Sequence, residues 1–237
     1  MLLSHAVLLD LDNTLININM RQFIPAYLAA LGRALRRFAP PEEIAETVLY
    51  ATNVMQANTN PATSNYNAFY KIFLAKLQVE YAEIQPDIDR FYREDYAKLR
   101  RYVSPKPQAR ELAAFLTASG RKVVIATHPI FPLTAIEQRM EWGNLSGLPY
   151  ALVTAMETAH FSKPNPAYYQ EILDRLGVAP SQALMVGDDP QNDIAPARQL
   201  GLETWQITNS RRPPVFTAAN HQGSLAEFYK MMKTNDQ

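Results

Sequence analysis

Four short stretches of the chain carry side chains that could do chemistry together. They are Asp10 and Asp12 in "VLLDLDNTL", Thr127 at the end of "KVVIAT", Lys163 in "FSKPNPAYY", and Asp188, Asp189 and Asp193 in "VGDDPQND". The first and last are acidic, and each follows an apolar run that reads as a buried strand. Unpaired carboxylates at such a place cost about several kcal/mol, and two acidic clusters brought together repel unless a cation lies between them. Carboxylate oxygens of Asp10 and Asp188 are hard ligands suited to Mg²⁺, an ion that keeps several waters and takes substrate phosphate as a further partner.

Each stretch alone has an ordinary reading. Asp12-Asn13 could be a turn or a helix cap. Thr127 is unremarkable at a strand end, Lys163 could be a solvated loop lysine, and "GDDPQND" could be a turn leading into a helix. Their shared placement is what argues for chemistry. In an open parallel sheet, ligands bind beyond the carboxyl ends of the strands, and all four stretches stand at such ends or in the loops that follow.

The elements that must position them are legible. From about residue 104 the sequence alternates helix and strand: "QARELAAFLTASG", "RKVVIAT", "YALVTA", "PAYYQEILDRLG", "QALMVG", "PQNDIAPARQLG" and "LETWQI", with "ITNS" closing the series. Short apolar strands separated by helices indicate βαβ units and a parallel sheet. Asn165 and Pro166 predict a helix start directly after Lys163, and Gly120 predicts a helix end.

Residues 17–102 have a different texture, with no strand pattern. Phe23, Tyr27, Leu28, Leu31 and Leu35 share one helical face, as do Tyr66, Phe69, Tyr70, Phe73, Leu74 and Leu77. Pro40 and Pro41 punctuate the first two helices, and a further helix is predicted from about Asp87 to Arg101. More than half of the aromatic residues fall here, a number suited to a core of its own. The segment reads as a helical module inserted after the first strand. The tail beyond Arg212 predicts one helix, Ser224 to Met232.

With these placements, "DLDNT", Thr127, Lys163 and "GDDPQND" resemble the four ordered motifs of the haloacid dehalogenase superfamily, the aspartate-nucleophile phosphatases. The resemblance covers residues 1–16 and about 103–210, and the helical insert resembles that family's C1 cap. It implies an α/β fold with a Rossmann-like parallel sheet core, residues 1–16 and 103–237, and an all-α cap, residues 17–102. Asp10 would be the nucleophile. Asp12 would be the general acid and then the base, its backbone carbonyl joining Asp10 and Asp188 around Mg²⁺. Asn13, Thr14, Thr127, His128 and Lys163 would bind the phosphoryl group, with Asp189 and Asp193 supporting from behind. His128 stands where the family commonly has asparagine, and either a substrate contact or local packing would suit it.

The implied activity is Mg²⁺-dependent hydrolysis of small phosphate monoesters through an aspartyl-phosphate. The alternatives are a mutase or phosphotransferase on the same site, or a silent metabolite-binding protein. Dehalogenation fits less well, because the dehalogenases lack the acid two residues after the nucleophile. Specificity would come from the cap. There "TNVMQANTNPATSNYNAFYK" offers an uncharged, asparagine-rich surface that would suit a sugar phosphate or nucleotide, or else forms a polar connection between two helices.

Other chemistries lack their residues. There is no G-x-S-x-G elbow, the four histidines do not cluster, and no Gly-rich phosphate loop of the Walker or dinucleotide type is present. The absence of cysteine excludes disulfides and thiolate sites. Lys plus Arg and Asp plus Glu both number 23 in 237 residues, so neither nucleic acid nor an anionic membrane is an expected partner. The apolar N-terminal run, broken by His5 and ended by Asp10, is too short for a membrane span or signal peptide. A cytoplasmic protein acting on a small phosphorylated metabolite is the expectation, with the oligomeric state not legible.

Overall fold

The computed structural model describes residues 4–208 and 218–235; Asn209 and Ser210 of the "ITNS" stretch lie outside them. In chain order the strands are β1 (Ala6–Leu9), β2 (Ile16–Ile18), β3 (Val103–Pro105), β4 (Lys122–Ile125), β5 (Leu152–Val153), β6 (Ala183–Gly187), β7 (Glu203–Ile207) and β8 (His221–Gly223). Six of them form a parallel sheet in the order β5-β4-β1-β6-β7-β8.

The first strand lies at the sheet's centre because every residue in it is apolar, and all four are fully buried. Strands covered on both faces read as continuous apolar runs. The period of two divides the core: Val7 and Leu9 point to one cluster, Ala6 and Leu8 to the other. On one face lie α5 (Ala109–Ala118), α6 (Leu133–Trp142) and α9 (Leu225–Asn235), while α7 (Pro166–Leu176) and α8 (Ala195–Gln199) cover the other. The register pairs Leu9 with Ile125 and with Val186. The carboxyl ends of the three central strands therefore finish level, and the residues that follow leave the same edge together.

Between β2 and β3 the chain forms α1 (Met20–Ala34), α2 (Pro41–Gln56), α3 (Asn65–Leu77) and α4 (Tyr81–Arg90). Phe23, Tyr27, Leu31, Phe69, Phe73 and Leu77 are buried there, so most of the aromatic stripe is packing. Two details depart from the sequence reading. The Ile-Asn-Ile alternation of β2 pairs antiparallel with β3, Ile16 opposite Pro105 and Ile18 opposite Val103, so a ribbon joins entry and exit where only helix was expected. The helix expected at 87–101 begins at Tyr81 and loses regular α geometry after Arg90. It continues as a wide π turn, Phe91–Asp95, and a tight 3₁₀ segment, Tyr96–Tyr102, which set Phe91 and Tyr96 edge-on against Tyr27.

At the other margin, β8 extends the sheet beside β7. It escapes sequence reading because "HQG" contains no apolar residue to show a buried face. Among the described residues no helix is long and apolar enough to cross a membrane.

Candidate active site

Beyond β1 the chain places Asp10 and Asp12 on one side and buries Leu11 on the other. The Asp10 N–H donates to the Val186 carbonyl at 2.9 Å, so the sheet ladder itself fixes its backbone. Asn13 then takes a left-handed conformation, φ +63°, which asparagine tolerates better than most residues. Its side-chain oxygen accepts from the Ile18 N–H at 3.3 Å, closing the turn into β2. Lys106, buried just after β3, donates to the Asn13 carbonyl.

Lys163 comes from the loop before α7, whose first turn is capped by the Asn165 side chain accepting from the Ala167 N–H. The lysine is almost wholly buried and donates to Asp10 Oδ1 at 3.0 Å and Asp193 Oδ1 at 2.6 Å. Burial alone would lower its pKa, but Asp10 and Asp193 outweigh it and hold the pKa well above its ordinary value. The ammonium is thus a fixed charge of the site.

Asp193 lies one turn along from Gly187, the last residue of β6. A Cβ at Gly187 would stand 2.2 Å from Asp193 Oδ2, so glycine is what permits this approach. Asp189 plays a different part. It caps the turn Pro190–Ile194, accepting from the Gln191 and Asn192 N–H groups and from the Asn192 side chain. Burial would raise its pKa, and these hydrogen bonds lower it overall.

Asp10, Asp188 and Asp193 each offer a carboxylate oxygen, and these atoms lie within 4.8 Å of one another. Burial raises the pKa of Asp188, and the negative charges of Asp10 and Asp193 raise it further. Asp193 is also raised by burial, against the pull of Lys163. Three carboxylates face two lysines, Lys163 by hydrogen bond and Lys106 through its charge on Asp188 and Asp10, and a cluster that stays short of positive charge could hold a metal ion.

These groups line a cavity of about 330 Å³ at the edge of the sheet. Its walls include Asp10, Asp12, Asn13, Thr127, His128, Lys163, Asp188, Asp189 and Asp193, so nine of the ten residues singled out from sequence meet there. Thr14 is the exception. It is fully buried behind the wall. The Thr127 hydroxyl is buried with no hydrogen-bond partner among the described residues, an arrangement that calls for a bound group to satisfy it.

His128 receives a contact from the helical segment, its Nε2 lying 3.4 Å from Gln56 Nε2 at the end of α2. Burial lowers its pKa from 6.5 to about 3, aided by Lys163. It is neutral at neutral pH. The asparagines of the helical segment, by contrast, do not reach the cavity. Asn58 donates to the Asn60, Thr63 and His160 carbonyls, and the fully buried Asn65 donates to the Pro129 and Phe161 carbonyls and the Ser162 hydroxyl.

Sequence reasoning missed Arg139. This fully buried side chain of α6 donates from Nη1 to Asp12 Oδ2 at 2.5 Å. Burial raises the Asp12 pKa, Arg139 opposes that, Asp10 adds to it, and the net direction is upward. A signal was available. Arg139 falls at helical spacing on the same face as Ala135, Ile136 and Met140, all buried, and an arginine on an apolar face needs a partner.

Residues 5–201 match the haloacid dehalogenase-like hydrolase family. The chain belongs to that family. Among curated proteins it is similar to phosphoserine phosphatase of Thermus thermophilus, 27% identical over 128 residues that make up 54% of this chain and 50% of that protein. The chain thus spans half the length of that relative. A longer match is to pyrophosphatase PpaX of Bacillus cereus, 29% identical over 207 residues, 86% of this chain and 83% of that one. The solved structure of a HAD phosphatase from Thermococcus onnurineus superposes with a TM-score of 0.59 at 21% identity. It covers 96% of this chain and 97% of that one, a likeness that shows the fold.

Proposed function

We propose that the protein is a Mg²⁺-dependent phosphatase of small phosphate monoesters, working through an aspartyl-phosphate on Asp10, with residues 17–102 as a cap over the site. The observation that carries this reading is the single cavity in which Asp10, Asp12, Thr127 and Lys163 face one another. The names of the two relatives above, a phosphoserine phosphatase and a pyrophosphatase, support the same class of reaction. Asp12 favours phosphoester over halide chemistry, since a leaving alkoxide needs a proton and a halide does not.

The donor set fits Mg²⁺, being hard oxygens of Asp10 and Asp188 with the Asp12 carbonyl as the expected third. When bound there, the ion neutralises charge on the phosphoryl oxygens. The chain's own groups do the rest. Lys163 holds the Asp10 carboxylate in place by hydrogen bond and contributes positive charge as the phosphoryl group moves. The Thr127 hydroxyl, otherwise without a partner, donates to a phosphoryl oxygen, and the backbone at Asn13 does the same.

A carboxylate oxygen of Asp10 attacks phosphorus and the ester bond breaks. Asp12 Oδ1, buried and free of other partners among the described residues, gives its proton to the departing alkoxide. A water then loses a proton to the same atom and attacks phosphorus, releasing phosphate and restoring Asp10. Closure of the helical segment excludes bulk water.

Phosphate release from a panel of small monoesters, with Mg²⁺ or with chelator, tests this. Release that needs Mg²⁺ and vanishes in Asp10→Asn is the expected result. Folded protein that binds Mg²⁺ and releases phosphate from no ester would overturn it, and phosphoryl transfer to a second sugar or alcohol would point to a transferase.

A further inference from the structure

Beside the catalytic cavity lies a second one, of about 90 Å³, enclosed by α1, α2, α3, α4 and the loop after β4. Protein interiors leave few voids larger than a water molecule, whose share of liquid volume is about 30 Å³. This space is well above that size. No charged side chain lines it. Its polar contributors are Thr52 and three tyrosines, and two of those, Tyr27 and Tyr92, pair their hydroxyls with each other at 3.1 Å. A lining dominated by hydrocarbon in this way favours apolar guests.

The two cavities adjoin across a shared wall. Ile24 of α1 and Ile130 and Phe131 of the loop after β4 line both. On the catalytic side of those three residues stand Asp10, Thr127 and Lys163; on the other lie Leu31, Val48 and Phe73. A phosphate monoester with its phosphoryl group at Asp10 therefore has the apolar wall of Ile24, Ile130 and Phe131 beside its organic part. At the far end Leu49 lines the cavity while 48% exposed, so the space reaches the outer surface of α2.

From this shared apolar wall we propose that the second cavity is the leaving-group subsite, reached by movement of the Ile24, Ile130 and Phe131 side chains, and that the preferred substrates are phosphate monoesters of apolar alcohols. The proposal rests on the phosphatase reading and narrows it. Polyhydroxylated leaving groups, such as sugars, are disfavoured, because among the described lining residues only Thr52 and Tyr70 offer hydroxyls outside the Tyr27–Tyr92 pair, too few to satisfy a buried sugar. Of the asparagines that would have suited a sugar, Asn58 and Asn65 commit their amide N–H groups to carbonyls of the fold.

The test is a series of n-alkyl phosphates from ethyl to octyl, with glycerol phosphate as the polar control, on the full chain with Mg²⁺. The expected result is a rise in kcat/KM of about fourfold per methylene, levelling off once the cavity is full, with glycerol phosphate below the propyl ester. Val48→Phe, which fills the cavity from its far wall, should bring the hexyl-to-ethyl ratio of kcat/KM down towards one. Leu31→Ala, which enlarges it, should move the plateau to longer chains. Thermal melts of both variants show whether they are folded. Asp10-dependent release that is indifferent to chain length would overturn the subsite and leave the phosphatase reading standing. Release from no ester would overturn both.

Discussion

Arg139 Nη1 and Asp12 Oδ2 lie 2.5 Å apart, and the guanidinium is wholly buried. The arginine also stacks over the Phe131 ring at 4.7 Å, while its Nε and Nη2 have no hydrogen-bond partner among the described residues. Its one strong polar contact is therefore the carboxylate proposed to carry the proton. A contact of this kind fixes the Asp12 side chain and leaves Oδ1 as the atom that faces outward from the pair.

Removing one partner of a buried pair leaves an uncompensated charge, at a cost of about 3–5 kcal/mol. Arg139→Met should therefore destabilise the protein by about that amount in urea titration. Asp12→Asn in the same chain should return much of the loss, because the remaining amide carries no charge. Activity should stay absent in the double variant. Equal stability of the single and double variants would mean that the pair is not the source of the cost.

With Mg²⁺ held as proposed beside Asp10, Asp188 and Asp193, the protein's stability should depend on the ion. Ligand at roughly a hundredfold over its Kd stabilises by about 2.7 kcal/mol, a Tm rise of roughly 5–10 °C for a chain of this size. Asp188→Asn should abolish that rise. It should also raise the metal-free Tm, since one of three mutually repelling carboxylates is gone. Melting curves with Mg²⁺ and with chelator read both effects, and an undiminished Mg²⁺ shift in the variant would remove Asp188 from the ligand set.

Gly187→Ala should damage the site without breaking the sheet. The new methyl would require Asp193 to move, and with it the 2.6 Å contact to Lys163 and the 3.1 Å contact from the Asp189 N–H. Overpacking of this kind costs about 1–3 kcal/mol, while displacement of a positioned group by about 1 Å can lower the rate by about a hundredfold. Steady-state kinetics beside a thermal melt should show a large loss in kcat with a modest loss in Tm. A variant with normal kcat would show that Asp193 does not position Lys163.

The acidic residues and Lys163 were legible from sequence because each follows or precedes a short local pattern: an apolar run ending in acid, or a proline-capped helix start. For Arg139 the apolar helical face signalled the need of a partner but not which one, since it meets Asp12 only when α6 packs against the loop after β1, 127 positions away in the chain. Lys106 is hidden for the same reason, reaching Asn13 across 93 positions. The asparagine-rich stretch could be read as a binding surface, though a polar connection was the more ordinary reading. What separates these is the set of carbonyls that Asn58 and Asn65 find at His160, Pro129 and Phe161, and local pattern holds no record of such contacts. The apolar cavity is a space between helices, and no residue run spells out a space.

His128 gives the protein an acid-sensitive contact. Burial lowers its pKa from 6.5 to about 3, Lys163 and Arg139 press the same way, and Asp189 opposes them; the facing group from the helical segment is the uncharged Gln56. Between those two pH values the unfolded chain binds a proton that the folded chain does not. Stability from this residue is therefore complete above about pH 6.5 and falls as pH drops towards about 3. The loss at about pH 5 amounts to at most about 2 kcal/mol, less to the extent that water reaches the ring. His128→Asn removes the titrating group while keeping a side chain able to meet Gln56. Urea titrations at about pH 7.5 and pH 5 should show a smaller acid loss in the variant than in the wild type, and an equal loss would place the acid sensitivity in the carboxylates instead.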